Sequence, residues 1–175
     1  MEETTLLPHS IEQQGMIYQD RNQKIHKVLA RFEGFTKEFY VSDYGKRAAI
    51  LAVKEGSVLL VRQYRLIIND ISYEIPGGRV DEYEIQEAVA LRECFEETGV
   101  RCLNPKPLIN YHNSLDISNN PTFIFYSENV EGIADSERSV WIPLERCIEM
   151  VFSHEIVDSL SIIALTGYYT LIKNR

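Results

Sequence analysis

Three glutamates in one short helical pattern constrain this chain more than any other feature. They lie near the end of the stretch Gly78–Val100, which reads GRVDEYEIQEAVALRECFEETGV. Residues three and four apart share one face of a helix, so Glu93 would lie beside Glu96 and Glu97. Carboxylates this close repel one another and favour a bound cation. Oxygen-only ligands suit Mg²⁺ first and Mn²⁺ second, and the alternative is a solvated acidic face.

The spacing around these glutamates matches a known motif over its whole length. Five residues separate Gly78 from Glu84, and seven separate Glu84 from Arg92, which opens the segment RECFEETGV. This pattern resembles the Nudix box, G-x5-E-x7-R-E-U-x-E-E-x-G-U, in which U is an aliphatic residue. Cys94 stands at the first U position, where a buried free cysteine acts as a small hydrophobe. The chain therefore resembles the Nudix hydrolases, which cleave nucleoside diphosphates linked to a second moiety.

The resemblance implies roles for the residues of the box. Glu93 and Glu97 are the expected metal ligands, and Glu96 is either a third ligand or the residue that orients the attacking water. A backbone carbonyl of the glycine loop, that of Gly77 or of the glycine after it, is expected to complete the set. Arg92 stands four residues before Glu96, so it can hold that carboxylate, and we count both among the catalytic residues.

Two segments before the box narrow the resemblance. VRQYR, which ends at Arg65, and YEIPGG, which contains Glu74, are similar to the ADP-ribose pyrophosphatase branch of the family. The resemblance implies that Arg65 reaches the diphosphate or the neighbouring ribose, and Glu74 is assigned with it to substrate binding. That branch usually has a Ser-Pro-Gly-like turn where this chain has Ser-Leu-Asp, at residues 114–116. The nucleoside and the sugar therefore stay open, and a GDP- or ADP-hexose is an alternative to ADP-ribose.

An acidic loop is the expected source of the catalytic base. Nudix enzymes often take this base from a mobile loop before a late strand, and ENVEGIADSER, residues 128–138, stands in that place. Glu137 is the candidate, with Glu131 in reserve. The alternative is a plain polar hairpin loop, since acidic loops are common.

Apolar and polar segments alternate in a way that predicts an α+β fold. Hairpins are predicted around Glu33-Gly34 and around Lys54-Glu55-Gly56, because apolar, β-branched runs flank both turns. Helices are predicted over residues 85–98, 144–151 and 158–172, and residues 1–15 are an unpatterned lead-in.

The resemblance implies the Nudix fold, an α/β/α sandwich with a mixed sheet, preceded here by a small N-terminal antiparallel sheet. The expected domains are residues 1–43, for the lead-in and the small sheet, and residues 44–175, for the Nudix hydrolase domain. An isolated hairpin is marginal in water, and residues 17–41 carry apolar groups that need a surface to cover. That surface belongs to the same subunit or to a partner. The resemblance favours a homodimer, because ADP-ribose pyrophosphatases commonly exchange this sheet.

Composition argues against several other classes of protein. The net charge is −8 and acidic residues cluster in the motif, which disfavours a nucleic-acid partner or an anionic membrane. The cysteines, Cys94, Cys102 and Cys147, have no paired spacing that would indicate a disulfide framework or a zinc site. The sequence has no signal-peptide pattern and no apolar run of about 18 residues, so the expected compartment is the cytoplasm.

The sequence therefore predicts a metal-dependent pyrophosphatase that acts on a small nucleotide. Its substrate would be ADP-ribose or a related nucleoside diphosphate sugar, and its products a nucleoside monophosphate and a sugar phosphate. Another Nudix reaction, on a nucleoside triphosphate, is the alternative within enzymes. A non-catalytic sensor of ADP-ribose is the alternative of a different class. Such sensors typically lose carboxylates of the box, and this chain has all of them.

Overall fold

The computed structural model of the chain describes residues 7–174, which fall into two compact units. The first unit combines the chain up to Lys46 with His112–Pro121. The second combines Arg47–Tyr111 with the chain from Thr122 onward. The first six residues of the predicted lead-in lie outside the described part.

The elements follow one another along the chain in this order. The strands are β1 Ser10–Gln19, β2 Lys24–Phe32, β3 Phe35–Asp43, β4 Lys46–Lys54, β5 Ser57–Arg65, β6 Asp70–Glu74, β7 Gly77–Val80, β8 Arg101–Leu103, β9 Lys106–His112, β10 Ser118–Asn119, β11 Pro121–Ser127, β12 Asn129–Glu131 and β13 Ser139–Pro143. The helices are α1 Gln86–Thr98, α2 Leu144–Phe152 and α3 Ser159–Lys173. Among the described residues, no helix is long and apolar enough to cross a membrane.

A small sheet forms the first unit, in the order β1-β2-β3-β10. The pairs β1–β2 and β2–β3 are antiparallel, which confirms the predicted N-terminal antiparallel sheet, and β10 is parallel to β3. The prediction of an unpatterned lead-in over residues 1–15 is wrong from Ser10 onward. The edge strand β1 pairs through its backbone and through the ion pair of Glu12 with Arg31, at 2.9 Å, and needs no apolar alternation.

A mixed sheet in the order β13-β5-β4-β11-β9 forms the centre of the second unit, with β6 added to β5 and β7 to β4. Alternate side chains of β4 enter two separate cores. Ala49 and Leu51 join the core that contains residues of α2 and α3, whereas Ala48 and Ile50 join the core that contains residues of α1. Burial on both faces explains why β4 reads as a continuous apolar run. The α/β/α sandwich predicted from the Nudix resemblance is confirmed.

Helix α1 buries one face and leaves the glutamates on the other. Val89, Ala90 and Cys94 are almost fully buried in the core on its side of the sheet. The helix ends at Gly99, whose φ of 76° is a left-handed conformation and whose N–H donates to the Phe95 carbonyl at 2.8 Å. Both ends of the predicted helix are therefore right to within one residue.

The first turn of α3 fixes the strand that leads into the glycine loop. Asp158 caps α3 by accepting hydrogen bonds from the N–H and the hydroxyl of Ser161, at 2.8 and 2.7 Å. The same Ser161 hydroxyl accepts the N–H of Ile75 at 2.9 Å, and Ser161 is fully buried. Because Ile75 comes two residues before Gly77, this contact sets the position at which the glycine loop begins.

Candidate active site

Two glutamates of α1 converge on the turn formed by Gly77 and Gly78. The N–H of Gly77 donates to Glu97 Oε2 at 3.1 Å. A Cβ atom on Gly78 would collide with the carboxylate of Glu93, and one on Gly77 would collide with Ala49 of β4. Gly77 therefore needs glycine, because β4 leaves no room for a side chain, whereas a side chain at Gly78 would displace the Glu93 carboxylate. The turn brings the residues predicted as metal ligands, Glu93, Glu97 and the Gly77 carbonyl, to one place.

Glu97 occupies a half-buried position with two hydrogen-bond donors. Besides the Gly77 N–H, it accepts Gln63 Nε2 at 3.0 Å. Burial raises the pKa of the Glu97 carboxyl group and the nearby charge of Glu93 adds to the rise, whereas the two donors and the charge of Arg47 oppose it. Burial dominates, so ionised Glu97 gains from any further positive charge that is placed beside it.

Arg92 compensates the repulsion between the carboxylates of the box. Its Nη1 atom donates to Glu93 at 2.8 Å and to Glu96 at 3.0 Å, and its Nη2 lies 3.5 Å from Glu84. Glu84 in turn accepts the N–H of Asp81 at 3.0 Å, which ties the loop to the helix. Glu96 is the most exposed of the three predicted ligands, with 55% of its side chain accessible against 18% for Glu93.

The donors at the turn have the chemistry of a hard-cation site. Two carboxylates and one backbone carbonyl are oxygen ligands, which Mg²⁺ and Mn²⁺ prefer. The missing Cβ atom of Gly78 leaves Glu93 room to lie against the turn, so the residues present fit such an ion. Within residues 7–174, no three His, Cys, Asp or Glu side chains are close enough together to enclose an ion without backbone or other ligands.

Arg65 and Glu74, the predicted substrate-binding residues, bind each other. The Nε and Nη2 atoms of Arg65 donate to the two carboxylate oxygens of Glu74, at 2.7 and 2.6 Å. Burial alone would raise the pKa of Glu74. Hydrogen bonds from Arg65 and Ser72 and the charges of Arg65 and Arg47 outweigh that effect, so the pKa is lowered. Glu74 therefore fixes the guanidinium of Arg65 in place and leaves its remaining N–H groups for another partner.

The structure separates Glu137, the predicted catalytic base, from the hydrogen bonds of the box. Its N–H donates to Asp135 at 3.0 Å and its carbonyl accepts Arg62 Nη2 at 2.9 Å, while its side chain is exposed. Arg62 also binds the carbonyl of Ser136, at 2.5 Å, and so anchors the loop to β5. In the described chain, no hydrogen bond joins the Glu137 carboxylate to Glu93, Glu96 or Glu97. Glu131, the reserve candidate, lies in β12 opposite Arg101.

Sequence reasoning missed two residues of this site. Gln63 binds Glu97, and the alternation of β5 contained the signal, because Gln63 and Arg65 are two residues apart and share a face of the strand. Arg47, at the start of β4, donates its Nη2 to the Gly77 carbonyl at 3.4 Å. The sequence shows Arg47 only as a charged residue before an apolar run.

Comparisons with known proteins find related sequences and a structure with a similar fold. The family model described as NUDIX domain matches residues 44–155. The chain is 28% identical over 126 residues to a CMP-5'-(N-acetyl-N-hydroxy-3-aminopropyl)phosphonate hydrolase of Streptomyces rubellomurinus, and the aligned region covers 67% of this chain and 61% of that protein. It is 24% identical over 138 residues to an ADP-ribose pyrophosphatase of Bacillus subtilis, which covers 74% and 75% of the two chains. A crystal structure described as ADP compounds hydrolase has the same fold, with a TM-score of 0.78, 15% identity and coverage of 95% and 94%.

Replacing Arg65 by methionine should destabilise the protein, because Glu74 is then buried without its cation. The side chain keeps its apolar stem, but the buried carboxylate loses its cation. We expect the free energy of unfolding at pH 7 to fall by about 1–3 kcal/mol. That is less than for a fully buried pair, because Arg65 is 43% exposed. Urea unfolding measures the change, and Arg146→Met, which removes an exposed ion pair with Glu149 and Glu155, is the matched control.

The pH dependence of that loss tests its cause. Contacts that lower the pKa of Glu74 stabilise the native protein above the pKa of the unfolded chain, about 4.3 for a glutamate. This contribution disappears as the pH falls through the lower pKa of the native state. The deficit of Arg65→Met should therefore be smaller at pH 3 than at pH 7. A deficit of equal size at both pH values would contradict the ion-pair assignment.

Proposed function

The chain belongs to the Nudix hydrolases, and we propose that it cleaves the diphosphate bond of ADP-ribose or a related nucleoside diphosphate sugar in a metal-dependent reaction. The observation that carries this proposal is the convergence of Glu93 and Glu97 on the Gly77–Gly78 turn. Arg65, which Glu74 holds in place, supplies a guanidinium for the phosphates. The similarity to a bacterial ADP-ribose pyrophosphatase over three quarters of both chains supports the substrate class.

The residues of the turn are the proposed metal ligands. Glu93, Glu97 and the carbonyl of Gly77 would hold the cation, with Mg²⁺ favoured and Mn²⁺ as the alternative. Glu96 is proposed as a third ligand or as the residue that orients the attacking water. When bound, the cation supplies charge neutralisation for the diphosphate and Lewis acidity.

The remaining steps are proposed for side chains of this chain. Arg92 holds the neighbouring glutamates in place, and Gln63 orients the Glu97 carboxylate. Arg65 binds the phosphate oxygens of the substrate and places the phosphorus for attack. Glu137 takes the proton of the water as its oxygen attacks that phosphorus. The bridging P–O bond then breaks, and the leaving phosphate takes the electron pair, which gives a nucleoside monophosphate and a sugar phosphate.

A substrate panel tests the proposed reaction. The panel contains ADP-ribose, ADP- and GDP-hexoses and nucleoside triphosphates, each with Mg²⁺, and the products are separated by chromatography. We expect kcat/KM to be highest for ADP-ribose or a nucleoside diphosphate hexose, because the VRQYR and YEIPGG segments resemble that branch. The highest value for a triphosphate would replace this reaction with the alternative one. Tight binding of ADP-ribose without any product would indicate the sensor.

Replacing Glu97 by glutamine should abolish turnover without harming the fold. An amide is a poor ligand for a hard cation, so we expect kcat at saturating Mg²⁺ to fall by about 10²-fold or more. The melting temperature should stay equal or rise, because a buried carboxylate and its repulsion from Glu93 are removed. Glu87→Gln, in the exposed first turn of the same helix, is the control and should keep full activity. Wild-type turnover in Glu97→Gln would overturn the assignment.

We further propose a homodimer in which residues 17–41 lie across the partner. The sheet of the first unit exposes large apolar side chains: Ile11 67%, Ile17 56% and Phe35 59%. These exposed apolar side chains form a surface to which a second copy of the chain would bind.

Mass in solution tests the dimer. Light scattering at low micromolar concentration should give twice the 20.2 kDa of one chain. Ile17→Glu should shift the mass toward one chain, because it places a charge in the proposed contact, whereas Glu33→Gln in the β2–β3 turn should not. A fully active wild-type protein with the mass of a single chain would refute the proposal.

A further inference from the structure

We infer that Arg47 is a second phosphate-binding residue, whose guanidinium receives an oxygen of the substrate's diphosphate. This inference rests on the proposed function and adds a residue that neither the motif nor the branch resemblance singles out. Its basis is that the Arg47 side chain lacks the carboxylate partners that the two other arginines of the site, Arg65 and Arg92, possess.

The Arg47 side chain is half-buried, and its N–H donors have few hydrogen-bond partners. Its Nε atom is buried and, among the described residues, has no hydrogen-bond partner. Its one hydrogen bond there is the long contact of Nη2 with the Gly77 carbonyl, at 3.4 Å. An arginine carries five N–H donors and is always charged, so burial without partners is costly. Each such exception in a folded protein requires an explanation.

The two other arginines of the site, unlike Arg47, are paired with carboxylates. Arg65 makes two short bonds to the buried Glu74, and Arg92 bridges Glu93 and Glu96 at 2.8 and 3.0 Å. Arg47 has no carboxylate within 4.0 Å among the described residues. Its guanidinium can therefore bind an anion without giving up an ion pair.

The position of Arg47 matches the reacting part of the substrate. Its contact with Gly77 places it at the turn on which Glu93 and Glu97 converge. An anion enters a site lined by carboxylates only where cations offset the repulsion. The fork of a guanidinium matches two phosphate oxygens in a way that a lysine ammonium does not.

The strand pairing fixes Arg47 at this place. Arg47 lies at the start of β4 and opposite Thr122 of the parallel strand β11. The next residues, Ala48 and Ala49, are fully buried and pack against Gly77. The backbone of Arg47 is therefore held rigidly, and only its side chain is free to adjust to a ligand.

The test measures binding of a diphosphate that has no nucleoside. Methylenediphosphonate, which cannot be hydrolysed, is titrated calorimetrically with Mg²⁺ present into the wild type, Arg47→Met, Arg47→Lys and the control Arg146→Met. Arg47→Met should weaken binding about tenfold to a hundredfold, the loss expected for hydrogen bonds to a charged group. The affinity of Arg47→Lys should lie between those of the wild type and Arg47→Met, because lysine keeps the charge but cannot bind two phosphate oxygens at once. Arg146→Met should bind as the wild type does.

Two further readouts separate this role from a structural one. The melting temperature of Arg47→Met should be unchanged or higher, because the buried unpartnered Nε atom is removed. Its KM for the best substrate of the panel should rise more than its kcat falls.

Each contrary result has a distinct meaning. Equal diphosphate binding by Arg47→Met and an active wild type would overturn the inference and leave the proposed function intact. A large fall in melting temperature, with binding lost in Arg47→Lys as well, would show that Arg47 is structural. A wild type that hydrolyses no nucleotide would overturn the proposed function and this inference together.

Discussion

The close approach of two glutamates to a pair of glycines is the contact on which the site depends. Glu93 lies where a Cβ atom of Gly78 would be, and Glu97 accepts the N–H of Gly77. A side chain at Gly78 would displace the Glu93 carboxylate, and one at Gly77 would push the turn away from β4. The glycines thus allow the two carboxylates to lie against the backbone of the turn.

The surrounding structure holds the two sides of this contact in register. On one side, α1 is fixed by its buried face, where Val89 and Cys94 pack into the core. On the other side, the Ser161 hydroxyl binds Ile75 and sets the start of the glycine loop, while Gly77 packs on Ala49. Helix and turn are therefore positioned by separate cores on opposite faces of one sheet, and the polar contacts lie between rigid elements.

The sequence predicted those parts of the site that follow from local geometry. The spacing of Glu93 and Glu97 on a helix and the Arg92–Glu96 pair depend only on the rise and turn of an α-helix, so both could be read from the box. Strand β7 was missed because its two glycines carry no strand signal. The role of Gln63 required the alternation of β5 and the position of α1 together.

Contacts between distant segments were beyond the sequence for a different reason. Arg47 reaches Gly77 because β7 pairs with β4. No local sequence pattern in β4 reveals that pairing. The Arg65–Glu74 bond likewise arises from the pairing of β5 with β6, so two residues assigned to the substrate are first of all partners of each other. For Glu137, the family resemblance predicted the loop but not its conformation, which Arg62 fixes by donating to two backbone carbonyls.

Metal binding by the glycine turn is tested most directly by electron paramagnetic resonance of Mn²⁺. The concentration of free Mn²⁺ is measured as the ion is titrated into the wild type and into Gly78→Ala. The methyl group of the variant would occupy the place of the Glu93 carboxylate. We expect a saturable Mn²⁺ site in the wild type and its loss in Gly78→Ala, whose circular dichroism spectrum should remain that of the folded protein. Equal Mn²⁺ binding by a folded Gly78→Ala would contradict this expectation.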